Sequence, residues 1–263
     1  MARKECGVKN HELNIKFVAF LAIMATPLAA GAFLMSWQPS NHFFDFSPTN
    51  DGFVVPRDIS KTIDKTQEST VSVSCSVSKK DSWIATGWAI DSDLLQISSK
   101  KTTVMTNFHV IENCIDGRGN VTIARLFKKE EQAQILSFDK KADLAVLTTD
   151  IELKPLELST STPWPGYWVM ALGSADSYQG SVAFGNVLNV TVKDILITNN
   201  ISEGNSGGPL VDNEGKVIGI VTWGMDYKKR QYNGARILDV FCQKIIACEY
   251  EFDGEKTWFD YNN

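Results

Sequence analysis

Ser206 lies in Gly204-Asn205-Ser206-Gly207-Gly208-Pro209-Leu210, a hydroxyl on a glycine-rich turn that runs straight into an apolar strand. The glycines allow backbone conformations that a Cβ would forbid and leave room for another molecule to approach. A serine hydroxyl is a weak nucleophile unless a base takes its proton and a third group orients that base. Of the histidines His11, His42 and His109, the first precedes a long apolar run and the second lies in an irregular polar stretch. Only His109, in Thr106-Asn107-Phe108-His109-Val110-Ile111, belongs to a segment with the texture of a folded domain. For the orienting acid, Asp143 sits among Leu144, Ala145 and Val146, where a buried carboxylate is tolerable only with a partner. Asp139, in Phe138-Asp139-Lys140-Lys141, reads instead as a solvated turn residue.

With His109 ahead of Ser206, the order histidine, aspartate, serine remains open. Gly204-Asn205-Ser206-Gly207-Gly208 also fits G-x-S-x-G, the nucleophile elbow of α/β-hydrolases, but that fold needs its histidine after the serine. No histidine follows Ser206, so the match is accidental.

The elements that must carry these residues are short and β-rich. Val71 to Val77 alternates with period two. Further strands are expected at Thr86–Ile90, Thr103–Thr106, Val121–Leu126, Gln134–Phe138 and Leu144–Thr148. After a polar, proline-bearing connection from Asp150 to Pro165, a second set is expected at Trp168–Leu172, Gly180–Val190, Ile195–Thr198, Pro209–Val211, Val217–Trp223 and Gln231–Ala235. Asp212-Asn213-Glu214-Gly215 reads as a hairpin turn. Helical spacing is seen at Asp58–Gln67 and at Ile237–Cys248. Two groups of about six strands joined by a linker imply an all-β protein of paired antiparallel barrels with a C-terminal helix; a single β-sandwich is the alternative.

The 263 residues carry a net charge of -5, which gives no reason to expect nucleic acid as a partner. No Cys-x-x-Cys or His-x-x-x-His spacing is present, so neither a metal nor another cofactor is expected. Residues 17–35 form an apolar run preceded by Arg3, Lys4, Lys9 and Lys16 and followed by no Lys or Arg until Arg57. The asymmetry puts residues 1–16 in the cytoplasm and the rest across a membrane. The length favours an uncleaved signal anchor over a signal peptide cut near Ala30-Gly31-Ala32. Residues 36–56 then form a juxtamembrane spacer, 57–250 the folded domain (barrels about 70–150 and 166–236, helix about 237–248) and 251–263 an aromatic tail. Export permits disulfides among Cys75, Cys114, Cys242 and Cys248, with three connectivities open, and leaves Cys6 a free thiol. Cys242 and Cys248 could pair only if the helix breaks between them.

Thr106–Ile111, Lys141–Leu147 and Gly204–Leu210 together resemble the trypsin-like serine proteases of the chymotrypsin clan, and within it the HtrA (DegP) branch and its single-domain bacterial relatives. The resemblance runs from about Val71 to Ala235. It implies two chymotrypsin-like six-stranded barrels and an extracytoplasmic serine endopeptidase acting on polypeptides, with His109 as base, Asp143 as acid and Ser206 as nucleophile. It also implies an oxyanion hole from the N–H groups of Gly204 and Ser206, with Asn205 between them. Pancreatic-type enzymes have aspartate at that position, to pair with a freed N-terminus; Asn205 implies that no such processing is needed. Val221, Thr222, Trp223 and Gly224 would then form an edge strand that pairs with substrate, Thr222 could donate to Asp143, and Asn200 would stand at the floor of the specificity pocket. With asparagine there, strict cleavage after Lys or Arg is not expected. A disulfide between Cys75 and Cys114 is implied by analogy of place, tying the histidine loop to a neighbouring strand. Fewer than about 60 residues follow Ser206, which leaves no room for a PDZ module after the second barrel. Homo-oligomerisation stays open, and the competing function is a peptide-binding protein of the same fold that does not cut.

Overall fold

The computed structural model describes residues 52–78, 82–95, 101–223 and 232–245. The N-terminal segment read as a membrane anchor, its spacer up to residue 51, Gly224 and the tail lie outside them. Among the described residues no helix is long and apolar enough to cross a membrane.

The first helix, α1 (Ile59–Glu68), starts where Asp58 Oδ1 accepts the Lys61 N–H at 3.0 Å, an N-cap that satisfies one of the helix's orphan donors. Its Ile59 and Ile63, four apart, pack on the main core. Seven strands follow: β1 (Thr70–Ser76), β2 (Ser82–Ile90), β3 (Thr102–Thr106), β4 (Asn120–Arg125), β5 (Glu131–Gln132), β6 (Gln134–Asp139) and β7 (Leu144–Thr149). They form one antiparallel sheet in the order β5-β4-β1-β2-β3-β7-β6. The second set is β8 (Trp168–Gly173), β9 (Ser181–Val190), β10 (Asp194–Ile197), β11 (Pro209–Val211), β12 (Val217–Trp223) and β13 (Asn233–Ile237). These six close into a barrel, β10-β13-β12-β11-β8-β9. The closed barrel removes the sandwich alternative. The first unit is a curled half-barrel sheet of seven strands, consistent with the expected paired barrels; the extra strand is β5, two residues long, which period-two alternation could not reveal.

Alternation decides which core each side chain enters. On β3 and β7, Val104, Ala145 and Leu147 point into the interior of the first sheet with Val71, Val73 and Ile123. Their neighbours Met105, Leu144 and Val146 point the other way, into a larger cluster shared with the second barrel. A strand whose two faces are both buried has no polar side, so β7 opens with an unbroken apolar run from Leu144 to Leu147. The ends of β3 and β7 thus lie at the seam between the units, which is where His109 and Asp143 emerge.

Two further helices complete the described fold: α2, a single turn at Phe108–Ile111, and α3 (Leu238–Lys244), which starts one residue later than the sequence spacing implied because Ile237 still belongs to β13. Cys75 and Cys114 are joined by a disulfide that pins the segment after α2 to β1. Closing a loop of 39 residues removes enough unfolded-chain entropy to be worth about 4 kcal/mol on the chain-entropy model. Cys242, on α3, is also disulfide-bonded, to a cysteine outside the described residues.

Candidate active site

β3 delivers His109. The strand ends at Thr106, Asn107 takes an extended conformation, and the α2 turn begins at Phe108. The turn is held from three sides. Phe108 is buried against Phe138 with ring centroids 5.2 Å apart, the Trp83 indole N–H donates to the Val110 carbonyl at 3.1 Å, and the disulfide follows at Cys114. His109 itself is left accessible, its side chain 43% exposed.

The loop before β7 delivers Asp143, and its backbone is unusual. Asp143 has φ +58°, a left-handed conformation in which an L-residue other than glycine is uncommon. Its carboxylate grips His109 at two points: Oδ1 accepts the His109 backbone N–H at 2.9 Å, and Oδ2 lies 2.8 Å from Nδ1. With Nδ1 held by a carboxylate, the proton of a neutral imidazole is favoured there, which leaves Nε2 as the free base. Asp139 takes no part; its Oδ1 caps the turn by accepting the Ala142 N–H at 2.8 Å.

The Ser206 turn packs against the same place through its backbone. The Thr86 N–H donates to the Ser206 carbonyl at 2.9 Å, and the Thr106 hydroxyl donates to the Thr86 carbonyl at 2.8 Å. Gly207, at φ +84°, is pressed so closely here that an added Cβ would sit 2.1 Å from the Thr86 carbonyl oxygen and 3.2 Å from Asn107 N. Among the described residues Ser206 Oγ makes no hydrogen bond.

Donors around the serine fall into two groups. The N–H groups of Asn205, Gly207 and Gly208 are taken, by the carbonyls of Ser202, Val221 and Asn205. Those of Gly204 and Ser206 donate to no other described residue. Neighbouring peptides are fixed from behind: the Glu203 carbonyl accepts the Asp176 N–H at 2.7 Å, and the Gly204 carbonyl accepts the Thr86 hydroxyl at 2.7 Å. Two uncommitted N–H groups on a rigid turn, two residues apart, can serve developing negative charge without reorganising. Asn205, 4% exposed, is packed beside Gly173 and carries no charge that would call for an ionic partner.

The expected specificity elements are placed less closely together. β12 is an interior strand, paired with β11 and β13. On its β11 side both polar groups of Val221 are engaged by Gly207 and Gly208. The edge expected at 221–224 is thereby narrowed to the stretch beyond Val221, and it runs into Gly224, outside the described residues. Thr222 corrects one expectation. Its hydroxyl donates to the Ile220 carbonyl at 2.9 Å, so its single proton is not available to Asp143. Asn200 is exposed, while the preceding Asn199 is fully buried and its amide ties the Val169 and Ala183 carbonyls of β8 and β9 together.

Three residues at the site escaped sequence reading. Thr86, within an apolar strand, looks like any β-branched strand residue, yet its hydroxyl also accepts the Ser174 N–H at 2.9 Å. Asp176 acts only through its main chain, which no side chain advertises. Asn107 stands as the N-cap of α2, a place that gives no sign of its partners elsewhere in the chain.

With the geometry in hand, likeness to known proteins can be weighed. The family model of the trypsin-like peptidase domain matches residues 85–220, slightly over half of the 263 residues. A probable periplasmic serine endoprotease, DegP-like, from Hahella chejuensis is 33% identical over 137 residues, covering 47% of this chain and 28% of that protein. The serine protease HTRA1 of Xenopus tropicalis is 34% identical over 141 residues, 48% of this chain and 30% of that one. The aligned segments thus span less than a third of these relatives. In fold, the chain is similar to the crystal structure of the serine endoprotease from Yersinia pestis, with a TM-score of 0.60 over 72% of this chain and 66% of that one at 23% identity.

Proposed function

Because the chain belongs to the trypsin-like peptidase domain family, we propose that it is a serine endopeptidase of HtrA type that hydrolyses peptide bonds of extracytoplasmic polypeptides. Ser206 Oγ attacks the scissile carbonyl while its proton passes to His109 Nε2, and Asp143 holds the imidazole and stabilises the imidazolium that forms. The oxyanion lies between the N–H groups of Gly204 and Ser206. His109 then gives the proton to the leaving amine, which departs and leaves an ester on Ser206. Water, deprotonated by the same imidazole, hydrolyses that ester and restores the hydroxyl.

One observation carries this reading: among the described residues the N–H groups of Gly204 and Ser206 are uncommitted, while those of Asn205, Gly207 and Gly208 and the carbonyls of Glu203 and Gly204 are tied down. A protein that merely held a peptide would have no use for that pattern. The names of the periplasmic relatives support an extracytoplasmic location, and the apolar run at residues 17–35 with its charge asymmetry supports a membrane tether. The substrate is an extended peptide that adds to the end of β12 beyond Val221, with its side chain directed toward Asn200.

A fluorophosphonate probe and an unfolded protein substrate test the proposal together. The full-length chain is expected to be labelled on Ser206 and to cut the substrate, and both activities are expected to disappear in Ser206→Ala and His109→Ala. A folded wild type that neither labels nor cuts would leave a binding protein on this fold.

A further inference from the structure

We propose that Asn107 is a positioning residue for the reaction, a reciprocal latch between α2 and the left-handed Asp143; the inference rests on the peptidase reading above. Asn107 is fully buried. Its Nδ2 donates to the Asp143 carbonyl at 2.9 Å and to the Thr222 hydroxyl oxygen at 3.3 Å. It therefore joins the end of β3 and the loop before β7, which carry His109 and Asp143, to the end of β12.

The side chain has given up the job its position suggests. An asparagine at an N-cap ordinarily turns Oδ1 toward the N–H of the second or third helical residue. Asn107 is the N-cap of α2 yet makes no such bond, and its Oδ1 is buried with no partner among the described residues. The second helical residue is His109, and its N–H is accepted by Asp143 Oδ1 at 2.9 Å instead. Asp143 thus caps the helix of Asn107, while Asn107 holds the main chain of Asp143. A buried, unsatisfied amide oxygen is costly, and a residue kept only for helix stability would not be arranged this way.

The exchange matters because Asp143 is strained. At φ +58° its peptide would relax toward a more favourable region if released. Its carbonyl is what Asn107 grips, and rotating that peptide would swing the carboxylate off Nδ1. Thr222 serves as the anchor on the far side: its own proton goes to the Ile220 carbonyl, which fixes the oxygen that receives the second amide hydrogen. The amide therefore directs the carboxylate without touching substrate.

Two variants test this in the full-length chain. Asn107→Ala removes the donors and leaves a void. Asn107→Leu removes them with the same number of side-chain heavy atoms and eliminates the orphaned oxygen, which partly offsets the lost bonds, so its thermal stability is expected to fall less than that of Asn107→Ala. In both, kcat is expected to fall on the order of tenfold to a hundredfold. KM is expected to stay within about twofold, since transition-state geometry and not ground-state binding is lost. The low-field proton resonance of His109 Nδ1–H, bonded to Asp143 in the resting protein, is expected to shift upfield or vanish. A folded Asn107→Leu variant with wild-type kcat and an unchanged resonance overturns the inference. So does a variant that loses activity only in step with its melting temperature while the resonance persists. The resonance is read without turnover, so failure of the wild type to label with the fluorophosphonate would strike the peptidase reading alone.

Discussion

At the scale of single residues the site depends on one carboxylate doing two jobs. Asp143 accepts the His109 main-chain N–H with one oxygen and faces Nδ1 with the other. An amide in its place could keep one of these contacts but would offer N–H where an acceptor is needed, favouring the wrong imidazole tautomer. Asp143→Asn is therefore expected to fold normally and to lose kcat on the order of 10^4-fold, the size of loss that this substitution causes in triads of this kind. Steady-state kinetics beside a melting curve would check it; a loss of less than tenfold would mean that Asp143 is not the orienting acid.

Between residues and fold stand the turns, and the β11–β12 hairpin shows how one side chain can organise an element. Asp212 is 6% exposed, and its Oδ1 accepts the N–H groups of Glu214 and Lys216 while Oδ2 accepts the Ser159 hydroxyl. Ser159 belongs to the linker between the units, so the hairpin and the linker are fastened at one carboxylate. Burial pushes the Asp212 carboxyl above the ordinary carboxylate range, against the hydrogen bonds that favour its charged form. A folded-state value raised above the unfolded one means stability that is fully present in acid, below the ordinary carboxylate range. That stability is lost as pH rises through the folded value. Asp212→Asn keeps the two accepted N–H bonds at Oδ1 and can donate to Ser159 from its amide. Its melting temperature relative to wild type is expected to be more favourable at pH 7 than at pH 3. Parallel thermal melts would decide it, and a difference of the opposite sign would show that the hydrogen bonds outweigh desolvation.

At the scale of the whole molecule the two units share one core. Trp88, on β2 of the first sheet, is fully buried in the cluster formed largely by the second barrel and stacks on Phe241 of α3 at a centroid distance of 6.5 Å. Removing that indole would open a cavity at the seam that carries the ends of β3 and β7. Trp88→Ala is expected to cost about 3–5 kcal/mol and to lower kcat even below the melting transition, because the seam is where His109 and Asp143 are aligned. Denaturant unfolding with parallel kinetics measures both. A variant that is destabilised yet fully active would mean that the site is held by its local hydrogen bonds alone.

The candidate triad and most of the strands were legible in the one-dimensional chain. Histidine supply, chain order and glycine spacing are one-dimensional facts, and period-two alternation marks half-buried strands wherever it is sustained. Alternation could not reveal β5, which is two residues long, or that Ile237 closes a strand before it could start a helix, because both are set by the partner across the ladder. Nor could it assign the hydroxyl of Thr222, the amide of Asn107 or the main chain of Asp176. The Thr222 proton goes to Ile220, two residues back, but the other two act through partners between 27 and 115 residues away, at Glu203 for Asp176, at Asp143 and Thr222 for Asn107. A polar group's partner is chosen by proximity after folding, and proximity across such separations exists only in the tertiary structure.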